Sequence, residues 1–171
     1  MEESIASDTS GNFKRLLVAL CQGQRDEHGV IDNEVVMNDA QRLYSAGEGK
    51  LGTEESAFIQ VLATRSFQHL KQLQQEYVKI TGRELEDAVA SEFSGNIEKG
   101  LTAVLTCARS RAEYFAKRLN NAISGAGTYD RALIRCIVRR CEIDLATIKE
   151  YYIHMYGRAP EEDIKIYPQK L

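Results

Sequence analysis

The chain has no tryptophan and only two prolines, so helices can run long without the breaks that proline imposes. No apolar run approaches the length a bilayer-spanning helix needs, and a membrane-crossing segment is excluded on that ground. Charge of one sign is also missing. With 22 basic and 25 acidic side chains the formal net charge is −3, which gives no field strong enough to draw the whole molecule onto nucleic acid or a membrane. An anionic partner must be met locally or through a bound cation. The four cysteines, Cys21, Cys107, Cys136 and Cys141, show no CxxC spacing and sit in apolar, helix-like stretches. Buried thiols are expected from them, with neither disulfides nor zinc. Residues 1–11 are acidic and hydroxyl-rich and lack the basic and apolar regions of a signal peptide, which predicts a cytoplasmic address.

What is present is repetition. Gly52-Thr53-Glu54-Glu55, Arg65, Tyr77 and Gly82-Arg83 are echoed 75 residues later by Gly127-Thr128-Tyr129-Asp130, Arg140, Tyr152 and Gly157-Arg158. A second echo, Ser10-Gly11-Asn12 against Ser94-Gly95-Asn96, has a spacing of 84. Self-similarity at one period is the mark of a repeat architecture. Apolar residues at helical spacing, such as Leu16, Leu17 and Leu20 or Leu70, Leu73, Tyr77 and Ile80, make the unit helical. Helices are predicted near 12–21, 33–46, 54–64, 67–80, 84–91, 97–107, 110–123, 129–139 and 143–156, with no strand. Thr53 is expected to cap the helix that follows it, and Gly82 and Gly157 to end helices in the left-handed region. Residues 1–21 read as the end of one unit, 22–32 as a linker, 33–108 as a whole unit, 109–158 as a partial one and 159–171 as a divergent tail.

The loop Ala46-Gly47-Glu48-Gly49-Lys50-Leu51-Gly52-Thr53, its partner Ile123-Ser124-Gly125-Ala126-Gly127-Thr128 and the acidic turns at Asp8 and Glu92 closely resemble annexin repeats over nearly the whole chain to about Ala159. The resemblance implies an all-α fold of units about five helices long, here truncated at both ends. It also implies calcium as cofactor and acidic phospholipid membranes as partner. Calcium takes six to eight oxygens, and a glycine-rich loop can turn carbonyls inward without side chains in the way. Carbonyls are neutral, so a carboxylate must join them. In annexins it lies about 40 residues after the last loop glycine, which here is Glu92.

The ligands implied are thus the main-chain oxygens of Gly47, Lys50 and Gly52 with the side chain of Glu92, and Leu51 at the loop tip is expected to meet lipid. Ile123, Gly125 and Gly127 form an incomplete site, because the position 40 after Gly127 is Tyr167. Asp8 has the matching carboxylate, but its loop would lie before Met1. The three histidines have no partner at metal or triad spacing, so ordinary surface or helix-end places are expected. Arg131, Arg135 and Arg139 form a stripe on one helix face, while Arg65 and Arg140 are expected as structural pairs. No nucleophile elbow or phosphate loop is found, so no enzyme and no nucleic-acid partner are expected. Two readings stand beside the first: self-association or a calcium-independent protein partner through surface exposed by truncation, and an inert truncated product.

Overall fold

The structure, a computed structural model, describes residues 2–27, 30–124 and 129–166. Every regular element among them is a helix: α1 (Glu2–Asp8), α2 (Gly11–Cys21), α3 (Asn33–Ala46), α4 (Glu55–Thr64), α5 (Phe67–Thr81), α6 (Leu85–Glu92), α7 (Gly95–Arg109), α8 (Arg111–Ser124), α9 (Asp130–Arg140), α10 (Leu145–Tyr156) and α11 (Pro160–Ile166). The chain divides into two compact units, Met1–Arg109 and Ser110–Leu171.

In the first unit α3 packs on α5, α5 on α7, and α2 on both α4 and α7. The core is built from the apolar stripe of each helix. Val36, Ala40 and Leu43 from α3 meet Phe58 and Leu62 from α4, Leu70, Leu73 and Tyr77 from α5, and Leu101 and Leu105 from α7. Ile80, which shares the helical period of Leu73 and Tyr77, is exposed instead, because the core ends one turn earlier. Leu16 of α2 is fully buried and lies over Gly100, where an added Cβ would come within 2.9 Å of its Cδ2. The helix expected to belong to a neighbouring unit therefore completes this core. The stretch expected as a linker is anchored too: Arg25 donates to the carbonyls of Leu62 and Arg65 and lies 4.5 Å over the Phe67 ring, and Asp26 N–H donates to Thr64 O.

Helix ends follow local chemistry. Asp32 accepts from the backbone N–H groups of Glu34 and Val35, and Ser66 from that of His69. Gly82 and Gly157 close α5 and α10 at φ of 73° and 74°, as their sequence positions predict. Gly11 and Gly95, the second echoed pair, share positive φ of 60° and 72°. Thr53 does not cap α4. That helix starts after Glu54 with no side-chain cap, and the threonine hydroxyl is spent elsewhere.

His69 is likewise no surface residue. It is buried, with Nε2 2.9 Å from Asp39 Oδ2, and Arg65 grips the same carboxylate in bidentate fashion at 2.6 and 3.2 Å. Burial lowers the His69 pKa, against the raising effect of Asp39. Arg65 is thus the structural pair it was expected to be. Of the cysteines expected to be buried, Cys136 is buried and Cys107 half-buried, whereas Cys21 and Cys141 are exposed, at or just beyond the C-terminal ends of α2 and α9.

The second unit gathers Ala116, Leu119 and Ile123 of α8, Cys136 of α9, and Ile148 and Tyr152 of α10. The expected helices stop at 156, but α11 forms beyond Gly157. Its buried Asp163 accepts from the Tyr152 hydroxyl at 2.7 Å through Oδ2, while Oδ1 has no hydrogen bond and is answered only by the Arg158 charge, with Nε at 3.2 Å. His154 is exposed, as expected.

Candidate metal centre

The α3–α4 loop is closed by one hydrogen bond, Glu54 N–H to Ala46 O at 2.7 Å. Inside it the glycines are required by space and by backbone. A Cβ on Gly49 would lie 2.9 Å from the carbonyl oxygen of Tyr44, and Gly52 has φ of +80°. Gly47 is buried against α6: a Cβ there would stand 3.2 Å from Phe58 Cζ and 3.3 Å from Glu92 Cγ. Loop and carboxylate, 45 positions apart in sequence from Gly47 to Glu92, are therefore neighbours because Gly47 has no side chain.

Glu92 closes α6 and is half-buried. Its Oε2 accepts a hydrogen bond from the Thr53 hydroxyl, which holds the carboxylate beside the loop. The loop itself is pinned from the other side. Glu48 accepts from the buried Tyr77 hydroxyl at 2.7 Å and pairs with Arg83. The Tyr77 pKa is pushed well above its ordinary value, by burial first and then by the hydrogen bond to Glu48, so it stays a donor. Leu51 is fully exposed at the tip. Lys50 N–H donates to Gly47 O at 3.1 Å, which leaves that carbonyl one lone pair.

No group of three or more His, Cys, Asp or Glu that could hold a metal occurs among the described residues. Loop carbonyls together with the Glu92 carboxylate are hard oxygen donors, a set suited to calcium. Of the expected ligands, Gly47 lies against the Glu92 side chain and Lys50 is hydrogen-bonded to Gly47, while Gly52 stands in the same loop next to Thr53, which bonds Glu92. Sequence reasoning did not assign Thr53, Glu48, Tyr77 and Arg83 to this site. For Thr53, Tyr77 and Arg83 the signal was the echo itself, since all three recur at the 75-residue period, whereas Glu48 has no such counterpart.

The α8–α9 loop closes by Tyr129 N–H to Ala122 O at 3.1 Å. It spans one residue fewer than the first loop, so Gly47, which follows Ala46, corresponds to Ile123, which follows Ala122. Ile123 is buried in the core of its unit, while Gly125 and Gly127 lie outside the described residues, as do His28 and Tyr167.

The Annexin family model matches residues 38–104 and 114–166. The chain belongs to the annexin family. Human (Homo sapiens) Annexin A7 is 51% identical over 158 residues, covering 92% of this chain and 32% of its own length. The chain thus spans about a third of the length of that curated annexin. Among solved structures, annexin III superposes with a TM-score of 0.95 at 38% identity, covering 97% of this chain and 52% of its own. Calcium-bound annexin (Sm)1 superposes at 0.83 with 30% identity, covering 94% and 48%. The second match of the annexin model includes α11, in the segment expected as a divergent tail. No described helix is long and apolar enough to cross a membrane.

Proposed function

We propose that this chain binds acidic phospholipid membranes in a calcium-dependent manner through the α3–α4 loop and Glu92. The observation that carries the proposal is the seating of the Glu92 side chain against Gly47, with its carboxylate held beside the loop by the Thr53 hydroxyl. The main-chain oxygens of Gly47, Lys50 and Gly52 and the Glu92 side chain would hold the cation. Bound there, calcium supplies a divalent charge with coordination positions the protein leaves for lipid phosphate oxygens.

The remaining work falls to the chain itself. Tyr77 and Arg83 fix Glu48 and with it the loop backbone, so the carbonyls are arranged before binding. Leu51 offers an apolar tip to the headgroup region. Lys50 lies 3.5 Å from Glu54 on the surface, a weak pair that an anionic headgroup can replace. The second loop, with Ile123, Gly125 and Gly127, is proposed as an incomplete site. The protein would sit at the membrane periphery when calcium rises and leave it when calcium falls.

Glu92→Gln keeps size and removes the charge. Sedimentation with phosphatidylserine vesicles should lose its calcium dependence, while helix content by circular dichroism stays that of the parent. Asp8→Asn, in the equivalent turn, should sediment as the parent does. A Glu92→Gln variant with the parent's calcium titration would refute the assignment.

A further inference from the structure

Between α8 and α9 of the second unit runs a groove of about 290 Å³, whose walls include Phe115, Arg118, Arg135, Cys136, Arg139 and Arg140. Arg140 is committed: it pairs with Asp144, with Nε 2.7 Å from Oδ1, and lies 4.6 Å over the Phe115 ring. Arg118 has no carboxylate partner among the described residues; it donates to the Tyr114 hydroxyl at 3.2 Å and lies 5.9 Å from the centre of that ring. Arg135 and Arg139, one turn apart on α9, make no hydrogen bond or ion pair with any described residue.

The first unit supplies an internal control. Allowing for the one-residue difference in loop length, Arg118 corresponds to Arg42, and Arg135, Arg139 and Arg140 correspond to Gln60, Thr64 and Arg65. There Arg42 donates to Gln60 Oε1 at 2.7 Å, and Arg65 is held by Asp39. One place in the repeat is therefore closed and self-satisfied in the first unit and open and basic in the second. The difference comes from two substitutions to arginine on α9 and from Phe115 standing where Asp39 stands.

We propose that this groove is a binding site for a compact anion carrying more than one phosphate group, independent of calcium. Three guanidinium groups from two helices converge on a space near the lower limit of small-ligand pockets. Arginine forks match phosphate oxygens in pairs, and one phosphate would leave part of the charge unanswered. The same chemistry is offered by a free inositol phosphate and by a phosphoinositide headgroup.

The test uses the full chain in EDTA, with inositol 1,4,5-trisphosphate as probe in calorimetry and inorganic phosphate for comparison. Trisphosphate should bind at least tenfold more tightly than phosphate. Arg135→Gln with Arg139→Thr, which restores the residues of the first unit, should weaken trisphosphate binding at least tenfold with an unchanged melting curve. Arg131→Gln removes the same charge one turn away and should change binding less than threefold. If the double variant melts early, Arg118→Gln on α8 serves the same purpose.

Vesicles containing phosphatidylinositol 4,5-bisphosphate, again in EDTA, distinguish the sources. Capture that free trisphosphate competes away assigns the headgroup, and free binding without capture assigns the soluble ligand. Equal binding by parent and double variant, an equal loss in Arg131→Gln, or no trisphosphate binding at millimolar concentration would overturn the site. So would equally tight binding of single-stranded RNA, which would mark a general polyanion field.

Discussion

Leu16 and Gly100 provide a direct test of whether α2 belongs to the core of the first unit. Leu16 has no exposed surface, and Leu16→Ala should therefore cost about 2–5 kcal/mol, a large part of a total of about 5–15 kcal/mol. Gly100→Ala alone places a methyl group 2.9 Å from Leu16 Cδ2. Overpacking of about 1–3 kcal/mol then opposes a helix-propensity gain of about 1 kcal/mol, so the single variant should be neutral or destabilised. With Leu16 already cut to alanine the opposing methyl is gone. The Gly100→Ala change should then stabilise, and the cycle should show coupling of about 1 kcal/mol or more. Urea unfolding followed by circular dichroism at 222 nm is the suitable assay, because the chain has no tryptophan to report by fluorescence. A Leu16→Ala cost below about 1 kcal/mol, or a cycle additive within about 0.3 kcal/mol, would show that α2 does not pack as described.

Three further outcomes follow from the same structure. His69 is buried with its pKa lowered, so the folded state binds its proton less readily than the unfolded state; stability should be full above the ordinary imidazole value of about 6.5 and fall as pH drops below it toward the folded pKa, and His69→Gln should flatten that slope in urea titrations at successive pH values. Leu51→Ala should leave the melting temperature unchanged, since the side chain is fully exposed, yet shift vesicle sedimentation to higher calcium; an unchanged vesicle titration would remove Leu51 from the contact. Gly49→Ala drives a Cβ toward the Tyr44 carbonyl and should weaken calcium binding in direct titration without altering overall helix content, whereas parent-like affinity would show that the loop relaxes around the added methyl.

Much of the fold was legible because its information is local. Apolar spacing of three and four residues draws the helices, and the positions of Gly82 and Gly157 end them, with no reference to the rest of the chain. That the glycine loop and Glu92 are neighbours was legible for a different reason: the unit repeats, and the distance from Gly52 to Glu92 matches the family's pattern. Side-chain partners were not legible. Thr53 has the right type and place for a helix cap, yet its hydroxyl goes to Glu92, 39 residues away, and His69 looks like a helix-surface residue until Asp39 of α3 is packed against it. Each of these hydrogen bonds contributes only about 0.5–3 kcal/mol, too little to fix a local sequence pattern, and the competition among possible partners is resolved only when helices pack. The same holds for α2, whose sequence shows an amphipathic helix but not the Gly100 surface that receives it. It holds as well for α11, where a buried Asp163 reads as a break in the apolar pattern until Tyr152 and Arg158 are brought to it. Sequence set the helices, the repeat and the loop, because those depend on neighbours along the chain. Tertiary packing decided which polar groups meet, because burial makes a missing partner costly.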